Sequence, residues 1–168
     1  MAPALKLLDI LGALGRHGVD FIVVGGVAAT LEGAPVTTLD LDILPDPEPA
    51  NRARLLRALL ELNARYLDPA GRHIVPDEAK LTTLRLHQLV TDAGPLDVLT
   101  AIGAGMTYAD LIGHTREYEV GGLVVRCLNL EAIIESKEQA NRDKDRAVLP
   151  ILRRTLARKA EISEDEGS

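Results

Sequence analysis

The sequence predicts an α/β (α+β) domain: a mixed β-sheet of about five strands flanked by helices, with further helices at the C-terminal end. Two observations lead there. Short apolar runs bounded by Gly or Pro, such as Phe21–Val24 and Leu96–Leu99, read as strands. Between them, leucines recur at the three- and four-residue spacing of helices that cover a sheet on one face.

A chain of 168 residues has the size of one ordinary domain and buries a core without staples. Residues 1–160 are expected to form that domain, and the acidic stretch 161–168 a disordered tail. Apolar residues make up 46% of the chain but aromatics only 2%, so Leu, Val, Ile and Ala must fill the core. The single cysteine, Cys127, rules out an internal disulfide framework and reads as a buried, inert thiol.

Leu5 to Gly18 is expected to be helical, followed by a strand at Phe21–Val24, the glycine pair Gly25-Gly26, and a short helix from Val27 to Leu31. Thr37 to Leu44 alternates apolar and polar residues as a half-buried strand does, until Pro45 and Pro47 end it. Pro49 to Tyr66 carries a leucine stripe at helical spacing. Strands are expected at Thr82–Thr91 and Leu96–Thr100, and a hairpin at Glu117–Cys127 turning on Gly121-Gly122. Asn129 is placed to cap a helix containing Ile133 and Ile134, and a last helix is expected from Asp143 to about Lys159, restarted or kinked at Pro150.

The chemistry concentrates on three carboxylates. Asp40 and Asp42 are two apart on a predicted strand, so both leave the same face with Cα atoms about 7 Å apart. Asp97 is the lone charge in the apolar run Pro95–Leu99. Ionised carboxylates crowded on a half-buried face are costly unless a cation offsets them. If the two strands are neighbours, the three suit a pair of Mg2+ (or Mn2+) ions roughly 3.5–4 Å apart, as in phosphoryl or nucleotidyl transfer. Alternatively, Asp40 and Asp42 decorate the solvent face of an edge strand. Gly25-Gly26 permits close approach of a phosphate to the backbone, or is a plain turn.

In combination, strand, Gly25-Gly26, short helix, Asp40-Leu41-Asp42 and a later strand aspartate resemble the nucleotidyltransferase superfamily. The resemblance is closest to small nucleotidyltransferase-like proteins related to the abortive-infection (AbiEii-type) toxins of toxin–antitoxin systems, and runs from Phe21 to about Leu156. It implies the nucleotidyltransferase fold, Asp40, Asp42 and Asp97 as catalytic metal ligands, and Gly25, Gly26, Thr38, Lys137, Arg142 and Lys144 as contacts to a nucleoside triphosphate. Ser136-Lys137-Glu138 and Asn141–Asp145 carry the family's late Lys and Arg-x-Lys-Asp elements. Many relatives have an arginine shortly before the carboxylates; Gly33–Thr38 has no basic residue.

A net charge of −6 argues against broad attachment to nucleic acid or anionic membrane. Residues 137–159 nevertheless hold eight basic against three acidic side chains, a stretch that could seat an RNA acceptor or only phosphates. His73, His87 and His114 have no metal-type spacing and are read as non-catalytic. No leader-like N-terminus and no apolar run of about 18 residues is present, so a cytoplasmic protein without membrane partners is expected. The leading expectation is magnesium-dependent transfer of a nucleoside monophosphate to a hydroxyl of RNA such as tRNA, of protein, or of a small molecule such as an antibiotic, with a toxin role and a partner antitoxin by analogy. The rivals are a degenerate nucleotide-binding or protein-interaction module and a metal-dependent nuclease.

Overall fold

The computed structural model describes residues 3–167. In chain order they form α1 (Leu7–Arg16), β1 (Phe21–Val24), α2 (Gly25–Leu31), β2 (Leu41–Pro45), α3 (Pro49–Glu61), β3 (Arg65–Tyr66), α4 (Glu78–Thr83), β4 (Leu86–Thr91), β5 (Gly94–Leu99), α5 (Tyr108–Leu111), β6 (Thr115–Val120), β7 (Leu123–Leu128), α6 (Leu130–Ala140) and α7 (Asp143–Glu166). The strands make one mixed sheet in the order β3-β4-β5-β2-β1-β7-β6, seven where about five were expected. β2 pairs parallel with β5 and β1 parallel with β7, and the other pairs are antiparallel.

The central strands are apolar enough to be covered on both sides: Ile22, Leu41, Ile43, Leu44 and Leu96 have no exposed surface. Each such side chain contributes roughly 1.5–3 kcal/mol by leaving water. α1 packs on β7 and α3, whereas α2 packs on β1 and β2 and touches α6, which lies along α7.

Several boundaries differ from the sequence expectation for identifiable reasons. The strand expected from Thr37 begins only at Leu41, because the Thr38 hydroxyl donates to the Asp40 carbonyl at 2.9 Å and bends the chain there. The helix expected to reach Tyr66 stops at Glu61, where Asn63 turns the backbone left-handed (φ 53°) and frees Arg65–Tyr66 to pair with β4. Thr82 and Thr83 end the short α4, capped by Asp77, which accepts from the Lys80 N–H at 2.8 Å. α7 passes through Pro150 without ending, since Leu149 and Leu152 keep it against the core. It continues to Glu166, through the stretch for which disorder was expected, with its side chains exposed from Glu161 onward.

One buried carboxylate ties these layers together. The Glu32 side chain, just past α2, is fully buried. It accepts from the Arg116 Nε at 3.2 Å, the Lys159 Nζ at 2.9 Å, the Leu130 N–H at 2.6 Å and the Tyr118 hydroxyl. Burial alone would raise its pKa, but the donors from Tyr118, Lys159 and Leu130 outweigh this and hold it below 4.5. Its contribution to stability is therefore complete above pH 4.5 and fades as pH falls through the lower folded-state value. Glu32→Ala leaves the Leu130 N–H and the Tyr118 hydroxyl without their acceptor and the partly exposed Lys159 and Arg116 without their partner, and should cost roughly 1–3 kcal/mol, read as a lower urea midpoint at pH 7. At a pH below the folded-state value, wild type and variant should converge.

Candidate active site

The parallel pairing of β2 and β5 sets Asp42 directly opposite Asp97. Asp40 stands in the bend just before β2, outside the strand, yet its carboxylate joins theirs: one oxygen of each lies within 4.8 Å of the others. All three side chains are half-buried.

Such crowding has an electrostatic signature. Burial, followed by the Asp40 and Asp97 carboxylates, pushes Asp42 up to about 7, with Lys137 pulling the other way. Burial and then Asp40 also raise Asp97, against a hydrogen bond from Asp42 and the charge of Lys144. Three hard oxygen donors that resist joint ionisation fit a divalent cation of the Mg2+ or Mn2+ type.

The glycine pair has a more immediate reason than phosphate approach. A Cβ on Gly25, whose φ is +67°, would lie 2.0 Å from the Asp42 Oδ2, and one on Gly26 would lie 2.9 Å from the Thr38 Cβ. Gly25 therefore makes room for the aspartate, and Gly26 for the bend that delivers Asp40. Both glycines open α2 itself rather than a turn before it.

A cleft of about 710 Å³ runs from these glycines past Asp42 and Asp97 to Gln88 and is walled by α6 and α7. Lys137, Arg142 and Lys144 all line it. Thr38 does not line it; its neighbour Thr37 does. The loop Gly33–Thr38, without a basic residue, also contributes Val36, so the cationic groups of the cleft come from α6 and the start of α7.

Sequence reading missed Asp145. It is wholly buried, and it accepts from the Lys137 Nζ at 3.3 Å, from the Arg142 Nε at 2.7 Å and from the Arg142 backbone N–H at 3.1 Å. Burial would raise its pKa, but Arg142 and Lys137 together bring it to about 2. It is the last residue of the Arg-x-Lys-Asp element, and within a run of alternating charges only the folded contacts separate it from a solvated neighbour such as Asp143. His87 is buried on β4, and its Nδ1 lies 2.8 Å from the Tyr66 hydroxyl.

The fold is that of the nucleotidyltransferases. A family model for aminoglycoside-2''-adenylyltransferase matches residues 6–149, and the chain belongs to that family. Solved structures agree on the fold. A candidate nucleotidyltransferase from Thermotoga maritima is 21% identical, with 86% of this chain and 88% of that one covered and a TM-score of 0.56. The antibiotic-resistance factor ANT(2'')-Ia, in complex with adenylyl-2''-tobramycin, is 20% identical over 92% of this chain and 90% of that one, with a TM-score of 0.57. Its solution structure aligns over 92% and 84%, also with a TM-score of 0.57. No curated protein matches significantly. Among the described residues no helix is long and apolar enough to cross a membrane.

Because Asp42 binds a proton more tightly in the folded chain than in the unfolded one, the metal-free fold loses stability as pH rises from about 4 to about 7. Asp42→Asn should accordingly melt at a higher temperature than wild type at pH 7.5 without divalent metal. Added Mg2+ should raise the wild-type melting temperature and leave the variant's unchanged.

Proposed function

We propose that the protein is a divalent-metal-dependent nucleotidyltransferase that moves a nucleoside monophosphate, adenylate by family analogy, from a nucleoside triphosphate to the hydroxyl of a small molecule. The observation that carries this reading is the carboxylate cluster of Asp40, Asp42 and Asp97, two of which, Asp42 and Asp97, line a cleft shared with Lys137, Arg142 and Lys144. A plain solvent-facing pair would not need Gly25 to clear space for Asp42.

In the proposed reaction the acceptor oxygen attacks the α-phosphorus, and the bond from that phosphorus to the oxygen bridging to the β-phosphate breaks. Pyrophosphate leaves with the electron pair, and the hydroxyl proton passes to a carboxylate of the cluster, a role we assign to Asp97. Divalent cations held by Asp40, Asp42 and Asp97 would supply charge neutralisation on the α-phosphate and the departing pyrophosphate. Lys137 and Arg142 are held by Asp145 rather than left free, which fixes their direction before substrate arrives; such preorganisation is where most of the rate enhancement in phosphoryl transfer lies. Lys144 adds a third cation to the same wall. Thr38 serves the nucleotide indirectly, by shaping the bend that carries Asp40.

A small acceptor is favoured over RNA by what becomes of the basic stretch 137–159. Lys137 and Arg142 pair with Asp145, Arg146 with Asp143, Arg153 with Glu138 and Lys159 with Glu32, so five of its eight cations have carboxylate partners within the chain, three of them on buried carboxylates. The toxin role and a partner antitoxin rest on an RNA or protein target that this surface does not favour.

Calorimetric titration of the four nucleoside triphosphates, with and without Mg2+, tests the reading. Wild type should bind ATP only with Mg2+, and an Asp40→Ala/Asp42→Ala variant that keeps its circular-dichroism spectrum should lose about 100-fold in affinity, near 2.7 kcal/mol. No triphosphate binding by wild type would instead identify a degenerate module that keeps the fold without the transfer.

A further inference from the structure

The two sides of the cleft stand on different elements, and their separation has to be set by something. Asp97 lies on β5, whereas Lys137 lies on α6. A triphosphate that meets both spans the gap between them, and a misplacement of about 1 Å is enough to slow such a reaction roughly 100-fold. α6 packs on α2 and α7. Its buried apolar side chains, Leu130, Ala132, Ile133 and Ile134, all fall in its first half, and beyond them Ser136 alone is buried. The half of the helix that carries Lys137 thus has little apolar anchorage of its own.

The segment that follows β5 supplies the missing attachment. Ile102 and Met106 close a tight hairpin, the Ile102 N–H donating to the Met106 carbonyl at 2.9 Å and the Met106 N–H to the Ile102 carbonyl at 2.8 Å. At its tip the Ala104 N–H donates to the Gln139 Oε1 at 3.0 Å. The Gln139 Nε2 donates in turn to the Glu135 Oε1 at 3.4 Å, which keeps the amide oxygen toward the hairpin. Gly103 lies against the helix with φ +60°, and a Cβ there would stand 2.6 Å from the Gln139 Oε1 and 3.3 Å from the Ser136 Cα. Ser136, one turn before Gln139, folds its hydroxyl back onto the Ile133 carbonyl at 2.8 Å and so offers the hairpin a small, already satisfied surface. Ala101, Ile102, Gly103, Ser136 and Lys137 all line the cleft. The joint is therefore part of the cleft wall, and it ties the end of the Asp97 strand to the helical turn that bears Lys137.

We infer that Gln139 is a positioning residue, which through the Ala104 N–H holds α6 at the distance from β5 that lets one triphosphate meet both the carboxylate cluster and Lys137. This inference rests on the nucleotidyltransferase reading of the same site and adds to it a residue that acts through Lys137. Asp145 sets the direction of the Lys137 side chain, whereas Gln139 sets where the helix beneath that side chain stands. Gln139 is exposed, and loss of one exposed hydrogen bond is a small change in overall stability. Its effect falls on the width of the cleft and not on whether the chain folds.

The test compares wild type with Gln139→Ala on the full chain, with Mn2+ as both metal probe and paramagnetic reporter and a non-hydrolysable ATP analogue as the nucleotide. In wild type, Mn2+ should broaden the amide resonances of Gly25 and of Lys137. In the variant, Gly25 should broaden as before while Lys137 recovers intensity, because the helix has drawn away from the metal. By calorimetry the variant should bind Mn2+ alone as wild type does but lose about fivefold in affinity for the analogue with Mn2+, the worth of one hydrogen bond. Its urea midpoint should be unchanged. Broadening at Lys137 and analogue affinity both equal to wild type would overturn the inference. Equal losses of Mn2+ and analogue affinity with a lowered urea midpoint would overturn it too, since that is the mark of a merely structural residue. Wild type that fails to bind the analogue, or whose Gly25 amide Mn2+ leaves sharp, would sink the nucleotidyltransferase reading instead, a result distinct from both.

Discussion

Parallel pairing of β2 with β5 is the constraint on which the rest of the molecule depends, because it forces Asp42 and Asp97 side by side in a half-buried setting. Like charges at that range oppose folding, and the sheet carries the cost through the opposite faces of the same strands, where Leu41, Ile43, Leu96 and Val98 are almost completely buried. β1 closes the arrangement from the other side. Its register puts Val24 opposite Asp42, so the next residue, Gly25, meets the carboxylate and cannot carry a side chain. The spacing from glycine pair to Asp-x-Asp is thus a packing relation before it is a catalytic one.

The second half of the site is carried by the helical pair α6 and α7. Asn129 caps α6 by accepting from the Ala132 N–H at 2.9 Å, and Asn141 ends it in the left-handed region at φ 50°. That sharp turn brings Asp145 back beneath Lys137, so the two helices fix the cationic wall by a contact between their own ends. Further along α7, Lys159 reaches Glu32 and pins the helix to the end of α2 and to β6. Geometry at the phosphate side therefore depends on two buried carboxylates, Asp145 beneath the cationic wall and Glu32 farther along α7, and a change at either anchor would alter how the cleft is walled.

Much of this was legible in the sequence where one local signal dominated. β1, the β6–β7 hairpin across Gly121-Gly122 and the Asn129 cap are read from an apolar run, a glycine turn and a capping side chain. Asp40 and Asp42 stood out because charge interrupts an apolar alternation, and Asp97 because it is alone in an apolar run. Reading failed where a local bond or a distant partner decides the outcome. Thr37–Asp40 alternates like a strand, but a threonine hydroxyl bends it. Asp145 and Glu32 sit among other charges, and nothing local marks them as buried. The basic stretch 137–159 looked like a uniform surface, whereas folding sets three of its cations, Lys137, Arg142 and Lys159, on buried carboxylates. Gln88 carries no motif at all, and only the register of β4 on β5 sets it opposite Asp97.

The account stands on a divalent cation bound by three residues brought together from a bend and two strands. The most direct measurement is anomalous diffraction from crystals grown with Mn2+ and a non-hydrolysable ATP analogue. The account predicts manganese density bounded by the carboxylates of Asp40, Asp42 and Asp97, with the triphosphate running toward Gly25 and Lys137. Manganese density elsewhere, or ordered nucleotide with no metal among those three carboxylates, would contradict it.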